Sequence, residues 1–149
     1  MDARLSTVAL LDTSVWARLR DGRLTGRAAD HLYDRLEDGE LALTEPLVLE
    51  MRYSARDGHD FALLAEELDA LPCLALDSHA IHRALQAQAQ LAAVPGVSHR
   101  VKPIDLLIAG VAERHDVAVL HYDADYDLLA DQTDLTFESV WAATRGSVS

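Results

Sequence analysis

The chain has 149 residues, of which 50% are hydrophobic and 26% charged, and its formal net charge is −12. This length suits one domain of about 100–200 residues, and the composition excludes a disordered chain. The single cysteine, Cys73, excludes an internal disulfide and a cysteine-rich zinc site. No apolar run approaches the ~18 residues of a membrane span, and the first residues do not read as a signal peptide. We therefore expect a cytoplasmic protein with no membrane partner.

Short apolar runs alternate with longer amphipathic segments along the first half of the chain. A buried strand is predicted at residues 7–11 (TVALL), and Asp12, Thr13 and Ser14 can cap a helix that follows through residue 19. The remaining predictions here are helices at residues 25–37, 44–57 and 61–71, and short strands at 40–43 and 73–76.

The second half continues the same alternation. Pro103 begins a strongly patterned helix, because apolar residues follow it at the spacing of one helix face. Around it we predict a helix at residues 77–94, a polar loop to residue 102, a strand at 117–120, a helical turn at 126–130, an edge strand at 135–137 and a frayed tail at 143–149. The pattern predicts one α/β domain over residues 1–149, in three α/β/α layers, with a mostly parallel central sheet and helices on both faces.

The large excess of acid over base allows two interpretations. Asp and Glu total 25 against 13 Lys plus Arg, which is unlike a non-specific nucleic-acid binder. The acids either form a solvated surface, or some of them converge on a metal ion that neutralises them locally.

Five acidic residues can reach one edge of the predicted sheet, where ligands bind beyond the carboxyl ends of the strands. Asp12 follows the first strand, Asp123 and Asp125 follow the strand at 117–120, Asp105 lies in the first turn of the helix at Pro103, and Glu50 lies on the helix after residues 40–43. Carboxylate oxygens are hard ligands that suit Mg²⁺ or Mn²⁺. Taken singly, helix capping or a solvated loop explains each aspartate as well, whereas Glu50 lies among apolar residues and needs a partner.

Four segments, in this order, carry a family resemblance: LLDTSVW (10–16), LVLEMRYSAR (47–56), KPIDLLIAGVAERH (102–115) and VAVLHYDADYDLLA (117–130). Together they resemble the PIN-domain ribonucleases, in particular the VapC-type toxins of bacterial toxin–antitoxin pairs. The resemblance implies a PIN-like fold and an endoribonuclease that hydrolyses RNA phosphodiester bonds with Mg²⁺ or Mn²⁺.

The resemblance also implies roles for single residues. The catalytic residues would be Asp12, Glu50, Asp105 and Asp123, and the metal ligands Asp12, Asp105, Asp123 and, more weakly, Asp125. Ser14 would support the metal site from outside the ligand set. Tyr126 stands where the family more often has phenylalanine, and we expect this difference to matter little. The cations nearest these acids in sequence would hold RNA phosphates, namely Arg52, Arg56 and Lys102.

The implied partners are an RNA substrate, a cognate antitoxin with a basic amphipathic C-terminal segment, and a second copy of the chain in a homodimer. Two other functions stay open. A receiver-like phosphoryl-transfer domain also places acids at strand ends, but it needs a suitably placed lysine, and the single lysine, Lys102, precedes Pro103. A catalytically silent binding module is the second alternative, and the complete set of acids argues against it.

Overall fold

A five-stranded parallel sheet, in the order β3-β2-β1-β4-β5, forms the centre of the molecule. This computed structural model describes residues 8–149, so Thr7, which was predicted to begin the first strand, lies outside the described residues. The strands are β1 (Ala9–Leu11), β2 (Leu41–Thr44), β3 (Cys73–Leu74), β4 (Ala118–His121) and β5 (Ser139–Trp141).

Within residues 8–149, seven helices pack around this sheet. They are α1 (Thr13–Arg20), α2 (Gly26–Glu37), α3 (Glu45–Tyr53), α4 (Gly58–Asp69), α5 (Ser78–Ala93), α6 (Pro103–His115) and α7 (Asp125–Gln132). Every residue of β1, β2 and β4 is buried, as expected for parallel strands covered by helices on both faces. The predicted α/β class with a parallel sheet is confirmed. None of the helices in the described part of the chain is long and apolar enough to cross a membrane.

Two predictions about the sheet were wrong. The last strand lies at Ser139–Trp141 and not at residues 135–137, because β5 pairs with β4 and the side chains of Ser139 and Trp141 donate hydrogen bonds to Asp127 of α7. Leu135 is instead buried in the core. The strand predicted at residues 73–76 has only two residues, Cys73 and Leu74, and Cys73 is exposed because this strand lies at the edge of the sheet.

Helices α5 and α6 pack closely because the residues between them are small. Ala80, Ala84 and Ala87 of α5 are buried, and Gly110 of α6 lies against the backbone of Ala80. A Cβ atom on Gly110 would lie 2.5 Å from the Ala80 carbonyl oxygen. The glycine therefore allows the close approach of the helix whose first turn holds Asp105.

We predict that Gly110→Ala destabilises the protein, because overpacking a close helix contact costs about 1–3 kcal/mol. At ~2–4 °C per kcal/mol, the melting temperature should fall by roughly 2–12 °C. The matched control is Gly58→Ala, where an added Cβ meets no atom within 4 Å. A thermal melt in which both variants match the wild type would contradict this account of the α5–α6 contact.

Candidate metal centre and catalytic cleft

A cleft of about 620 Å³ opens where the carboxyl ends of β1 and β4 meet the start of α6. Four predicted acids line it, namely Asp12, Glu50, Asp105 and Asp123, together with Lys102 and Ser14. These residues come together because parallel strands end at one edge of the sheet. The fold thus gathers side chains that are more than 100 positions apart in the sequence.

Three carboxylates form the tightest group in this region. One oxygen each from Asp105, Asp123 and Asp125 lie within 4.8 Å of one another. Asp105 is only 3% exposed, and its Oδ2 atom has no hydrogen-bond partner within residues 8–149. A buried carboxylate oxygen without a partner is costly unless a cation or donor completes its surroundings. This donor set fits a hard divalent cation such as Mg²⁺ or Mn²⁺.

Asp12 lies beside this group and is held in place from both sides. Its Oδ2 atom accepts hydrogen bonds from the backbone N–H and the hydroxyl of Ser14, at 3.0 and 2.5 Å. The Ser14 hydroxyl in turn accepts the N–H of Tyr122 at 2.9 Å, which joins the start of α1 to the end of β4. The Oδ1 atom of Asp12 accepts the hydroxyl of Tyr126 at 2.6 Å, so a metal ion would use the remaining lone pairs of this carboxylate.

The crowding of these acids changes their protonation. Burial, reinforced by the charge of Asp12, raises the pKa of Asp105 to about 7. Burial and the charge of Asp123 also raise the pKa of Asp125. Burial lowers the pKa of Lys102, but the charges of Asp105 and Asp123 outweigh it and the net pKa is raised. The Lys102 Nζ atom lies 3.5 Å from Asp123 Oδ2 and 4.0 Å from Asp105 Oδ2.

A buried hydrogen-bond network fixes the loop that carries Asp123. The backbone N–H of Asp123 donates to Nδ1 of His121 at 3.1 Å, so the proton of the neutral ring lies on Nε2, which is 2.6 Å from the Ser139 hydroxyl. Ser139 donates onward to Asp127 at 2.7 Å, and the indole N–H of Trp141 donates to the same carboxylate at 2.9 Å. Burial lowers the pKa of His121, which keeps the ring neutral.

Glu50 lines the cleft from α3 and is half-buried. We expected a partner for this carboxylate, and none of the hydrogen bonds or ion pairs within residues 8–149 involves it. Its carboxylate is therefore available to a ligand in the cleft.

Two predicted phosphate-binding residues do not line the cleft. Arg52 forms an ion pair with Asp69 at 3.8 Å. Arg56 forms one with Asp60 at 3.4 Å, and the Arg56 side chain is 83% exposed. Both lie close to Glu50 in sequence, but the end of α3 turns them toward α4. Nearness in sequence therefore did not bring these two side chains to the cleft, and their contact with RNA phosphates stays a prediction.

Two arginines that the sequence did not single out line the cleft, namely Arg18 and Arg145. Arg145 belongs to residues 143–149, which were predicted to be a frayed tail. These residues instead contact Tyr122, directly after β4: its hydroxyl donates to the Thr144 carbonyl and accepts the Val148 N–H, at 3.2 and 2.8 Å. No periodic pattern marks this segment, so the contact could not be found from the sequence.

Comparisons with known proteins identify relatives of this chain and solved structures with the same fold. The family model described as the PIN domain matches residues 9–132. Ribonuclease VapC18 of Mycobacterium tuberculosis is 34% identical over 142 residues, which are 95% of this chain and 99% of that protein. Ribonuclease VapC51 of the same organism is 37% identical over 139 residues, which are 93% and 96% of the two chains.

Solved structures share the fold at lower identity. The DNA-bound VapBC structure from Salmonella typhimurium superposes with a TM-score of 0.70 and 18% identity, over 91% of this chain and 98% of that chain. FitAcB from Neisseria gonorrhoeae superposes with a TM-score of 0.66 and 21% identity, over 89% and 96% of the two chains. At these identities the likeness concerns the fold alone.

The raised pKa of Asp105 predicts that the metal-free protein loses stability as pH rises. A carboxyl whose pKa is about 7 in the folded protein and about 4 in the unfolded chain retains a proton on folding. Its contribution to the free energy of unfolding therefore falls as the pH rises from ~4 to ~7. The upper limit for one group is about 1.4 kcal/mol per pH unit. Asp105→Asn removes the titration while keeping the shape of the side chain.

Melting temperatures measured with a chelator at pH 5 and pH 8 isolate this contribution. The wild type should lose several degrees relative to Asp105→Asn between the two pH values. An equal difference between the two proteins at both pH values would mean that Asp105 is not the carboxyl that binds the extra proton.

Proposed function

The chain belongs to the PIN-domain family, with VapC ribonucleases among its relatives, and we propose that it is a metal-dependent endoribonuclease that acts as the toxin of a toxin–antitoxin pair. The observation that carries this proposal is the convergence of oxygens from Asp105, Asp123 and Asp125 within 4.8 Å, with a buried oxygen on Asp105 that accepts no hydrogen bond from the described residues. The names of the relatives, Ribonuclease VapC18 and Ribonuclease VapC51, support RNA as the substrate.

The proposed ligands for Mg²⁺ or Mn²⁺ are Asp105 and Asp123, with Asp12 and Asp125 completing the set. When bound, a divalent cation supplies charge stabilisation at a phosphoryl oxygen and makes a water molecule acidic enough to attack at neutral pH. Ser14 and Tyr126 hold Asp12 by hydrogen bonds to its two oxygens. The direction of the lone pairs that remain is therefore fixed before any ligand arrives.

Glu50 is the proposed residue that orients the attacking water. It lines the cleft from α3, whereas Asp12 and Asp123 follow β1 and β4 and Asp105 lies on α6. Its carboxylate makes no hydrogen bond or ion pair with the described residues, so it can accept a hydrogen bond from water. A carboxylate at hydrogen-bond distance from the attacking water can also receive its proton.

Three cations that line the cleft are proposed to contact the RNA backbone: Lys102, Arg18 and Arg145. Lys102 contacts Asp123 and Asp105 when no ligand is present, and its side chain is 64% exposed, so it can move to a phosphate when a metal ion neutralises the acids. Arg145 lies over the Trp141 ring at 5.6 Å and makes no hydrogen bond or ion pair within residues 8–149. For Arg52 and Arg56, the proposed contact with RNA rests only on their closeness to Glu50 in the sequence.

The two alternative functions fit the site less well. A receiver-like domain also gathers carboxylates around a cation, so the acids alone do not separate the two functions, but the PIN-domain match over residues 9–132 and the ribonuclease relatives favour the nuclease. A silent binding module gives no reason to bury an unpartnered Asp105 oxygen. Both arguments favour the nuclease.

An apolar groove of about 670 Å³ is the proposed docking site of the antitoxin. It is lined by α1, α2, α4 and the sheet, and its residues include Trp16, Leu19, Leu32, Leu36 and Leu68. The opposite side of α1 lines the catalytic cleft. An amphipathic helix in the groove could therefore extend past α1, and a basic residue beyond it would meet the acids and compete with the metal ion.

The homodimer stays a prediction. Exposed apolar side chains on α3 and α5, among them Leu49, Tyr53 and Leu85, are the surface that we propose a second copy covers. The two helices both pack against α6, so one interface can span them.

Replacing single acids by their amides tests the proposed nuclease. We expect Asp12→Asn, Asp105→Asn and Asp123→Asn each to lower RNA cleavage in Mn²⁺ by roughly 10²-fold or more, because losing a ligand removes several kcal/mol of charge stabilisation. Asp125→Asn should be milder. The control is Asp69→Asn, whose carboxylate is 75% exposed and outside the cleft.

The cleavage assay needs two checks. Mn²⁺ should raise the melting temperature of the wild type more than NaCl of equal ionic strength does, and it should not do so in the double variant Asp12→Asn/Asp105→Asn. Cleavage at the wild-type rate by any of the three variants would remove that residue from the catalytic set.

A charge placed in the apolar groove tests antitoxin docking. Leu36→Glu should abolish co-purification with the antitoxin that we expect to be encoded beside this gene, because a carboxylate would be buried without a partner in a helix interface. Leu63→Glu is the control, since Leu63 is similarly exposed on α4 but does not line the groove. Both variants should keep full ribonuclease activity. Equal binding by the two variants would place the partner elsewhere.

A further inference from the structure

The hydroxyl of Tyr126 bridges two acids that the fold brings together from distant parts of the chain. Tyr126 lies on α7 and is fully buried. Its oxygen lies 2.6 Å from Oδ1 of Asp12, at the end of β1, and 3.2 Å from Oδ1 of Asp105, in the first turn of α6. The ring stacks on His121, with centroids 4.9 Å apart. This polar contact is the one that we expected to matter little.

The hydroxyl and Ser14 together leave one oxygen of the two acids without a partner. Oδ2 of Asp12 accepts two hydrogen bonds from Ser14, and Oδ1 of both acids faces Tyr126. Oδ2 of Asp105 is then the oxygen that accepts no hydrogen bond within residues 8–149. This atom lies 4.0 Å from Lys102 Nζ, which also lies 3.5 Å from Asp123. The bridge therefore turns the free oxygen of Asp105 toward the other ligands.

We propose that Tyr126 is a positioning residue for the metal centre, whose hydroxyl fixes the orientation of Asp12 and Asp105 so that Asp105 Oδ2 is presented to a divalent cation. This inference rests on the proposed metal-dependent nuclease. The phenol hydroxyl has one proton, so it donates to one carboxylate at a time. Its oxygen nevertheless lies within hydrogen-bond distance of both carboxylates. Donors that orient carboxylate ligands typically contribute 10–100-fold to metal affinity.

A purely structural role would require only the ring. Phenylalanine fills the same volume and stacks on His121 in the same way, and a buried hydroxyl is costly unless it is hydrogen-bonded. The two roles therefore separate in one variant, Tyr126→Phe, because the ring stays and only the oxygen that touches the acids is removed.

The test compares Mn²⁺ affinity by calorimetry in the wild type, Tyr126→Phe and Tyr122→Phe, at fixed pH and ionic strength. Tyr122 is the matched control, because its hydroxyl bonds Thr144 and Val148 and not the acids. We expect Tyr126→Phe to bind Mn²⁺ about 10–100-fold more weakly, and Tyr122→Phe to bind as the wild type does. Excess Mn²⁺ should restore RNA cleavage by Tyr126→Phe.

Each outcome of this experiment decides between the accounts. Unchanged Mn²⁺ affinity in Tyr126→Phe overturns the inference, even if the melting temperature falls, because the hydroxyl would then be structural only. A wild type that does not bind Mn²⁺ overturns the metal centre itself, and the inference with it.

A second measurement uses the unaltered protein, in case Tyr126→Phe folds poorly. In protein labelled with ¹³C at the tyrosine Cζ atom, saturating Mg²⁺ should shift the Tyr126 resonance, because the carboxylates that it bonds change their surroundings. The resonance of Tyr33, which lines the apolar groove, should not shift. A Tyr126 resonance that does not respond to Mg²⁺ would equally overturn the inference.

Discussion

Mutual repulsion among buried carboxylates is the constraint on which the rest of this structure depends. Asp12 and Asp105 are almost fully buried and share one hydroxyl, and Asp123 and Asp125 lie beside them. Like charges at this separation repel one another and oppose folding. The surrounding groups offset part of this cost, since Ser14 and Tyr126 donate hydrogen bonds and Lys102 brings one positive charge. A group of acids that is stabilised only in part is what a cation-binding site requires.

The rigidity of the sheet and of α6 is what keeps these acids together despite the repulsion. β1 and β4 are adjacent, parallel and completely buried, so Asp12 and the loop that carries Asp123 begin at fixed points. Gly110 allows α6 to pack against the backbone of α5, which fixes the helix that carries Asp105. Nδ1 of His121 then accepts the backbone N–H of Asp123 and so fixes the position of this loop. The packing of apolar and small residues thus fixes charged groups that would separate if they were free.

Much of the fold could be predicted because it follows from local patterns. The buried runs at β1 and β4, the cap at Asp12 and the proline that begins α6 are all properties of a few neighbouring residues.

The errors arose where distant contacts decide the structure. β5 forms at Ser139–Trp141 because of its bonds to Asp127. Likewise, Arg145 reaches the cleft through contacts of its segment with Tyr122, which no local pattern reveals. The hydroxyl of Tyr126 was undervalued for the same reason, since both of its partners lie far away in sequence.

The distribution of charge reconciles an acidic protein with a polyanionic substrate. The net charge of −12 describes the whole chain, and it opposes the approach of RNA at distances below the Debye length of about 8–10 Å. Inside the cleft the balance differs, because Lys102, Arg18 and Arg145 face the acids across a small volume and a divalent cation would cancel two of the negative charges. With the proposed metal ion, binding at the cleft would therefore depend on that ion far more than it would in a basic nuclease. A basic segment of a protein partner meets the opposite situation, since the metal-free acids and the net charge both attract it. The same carboxylates that would make RNA binding depend on the proposed metal ion would thus favour an inhibitor that replaces this ion with an arginine or lysine.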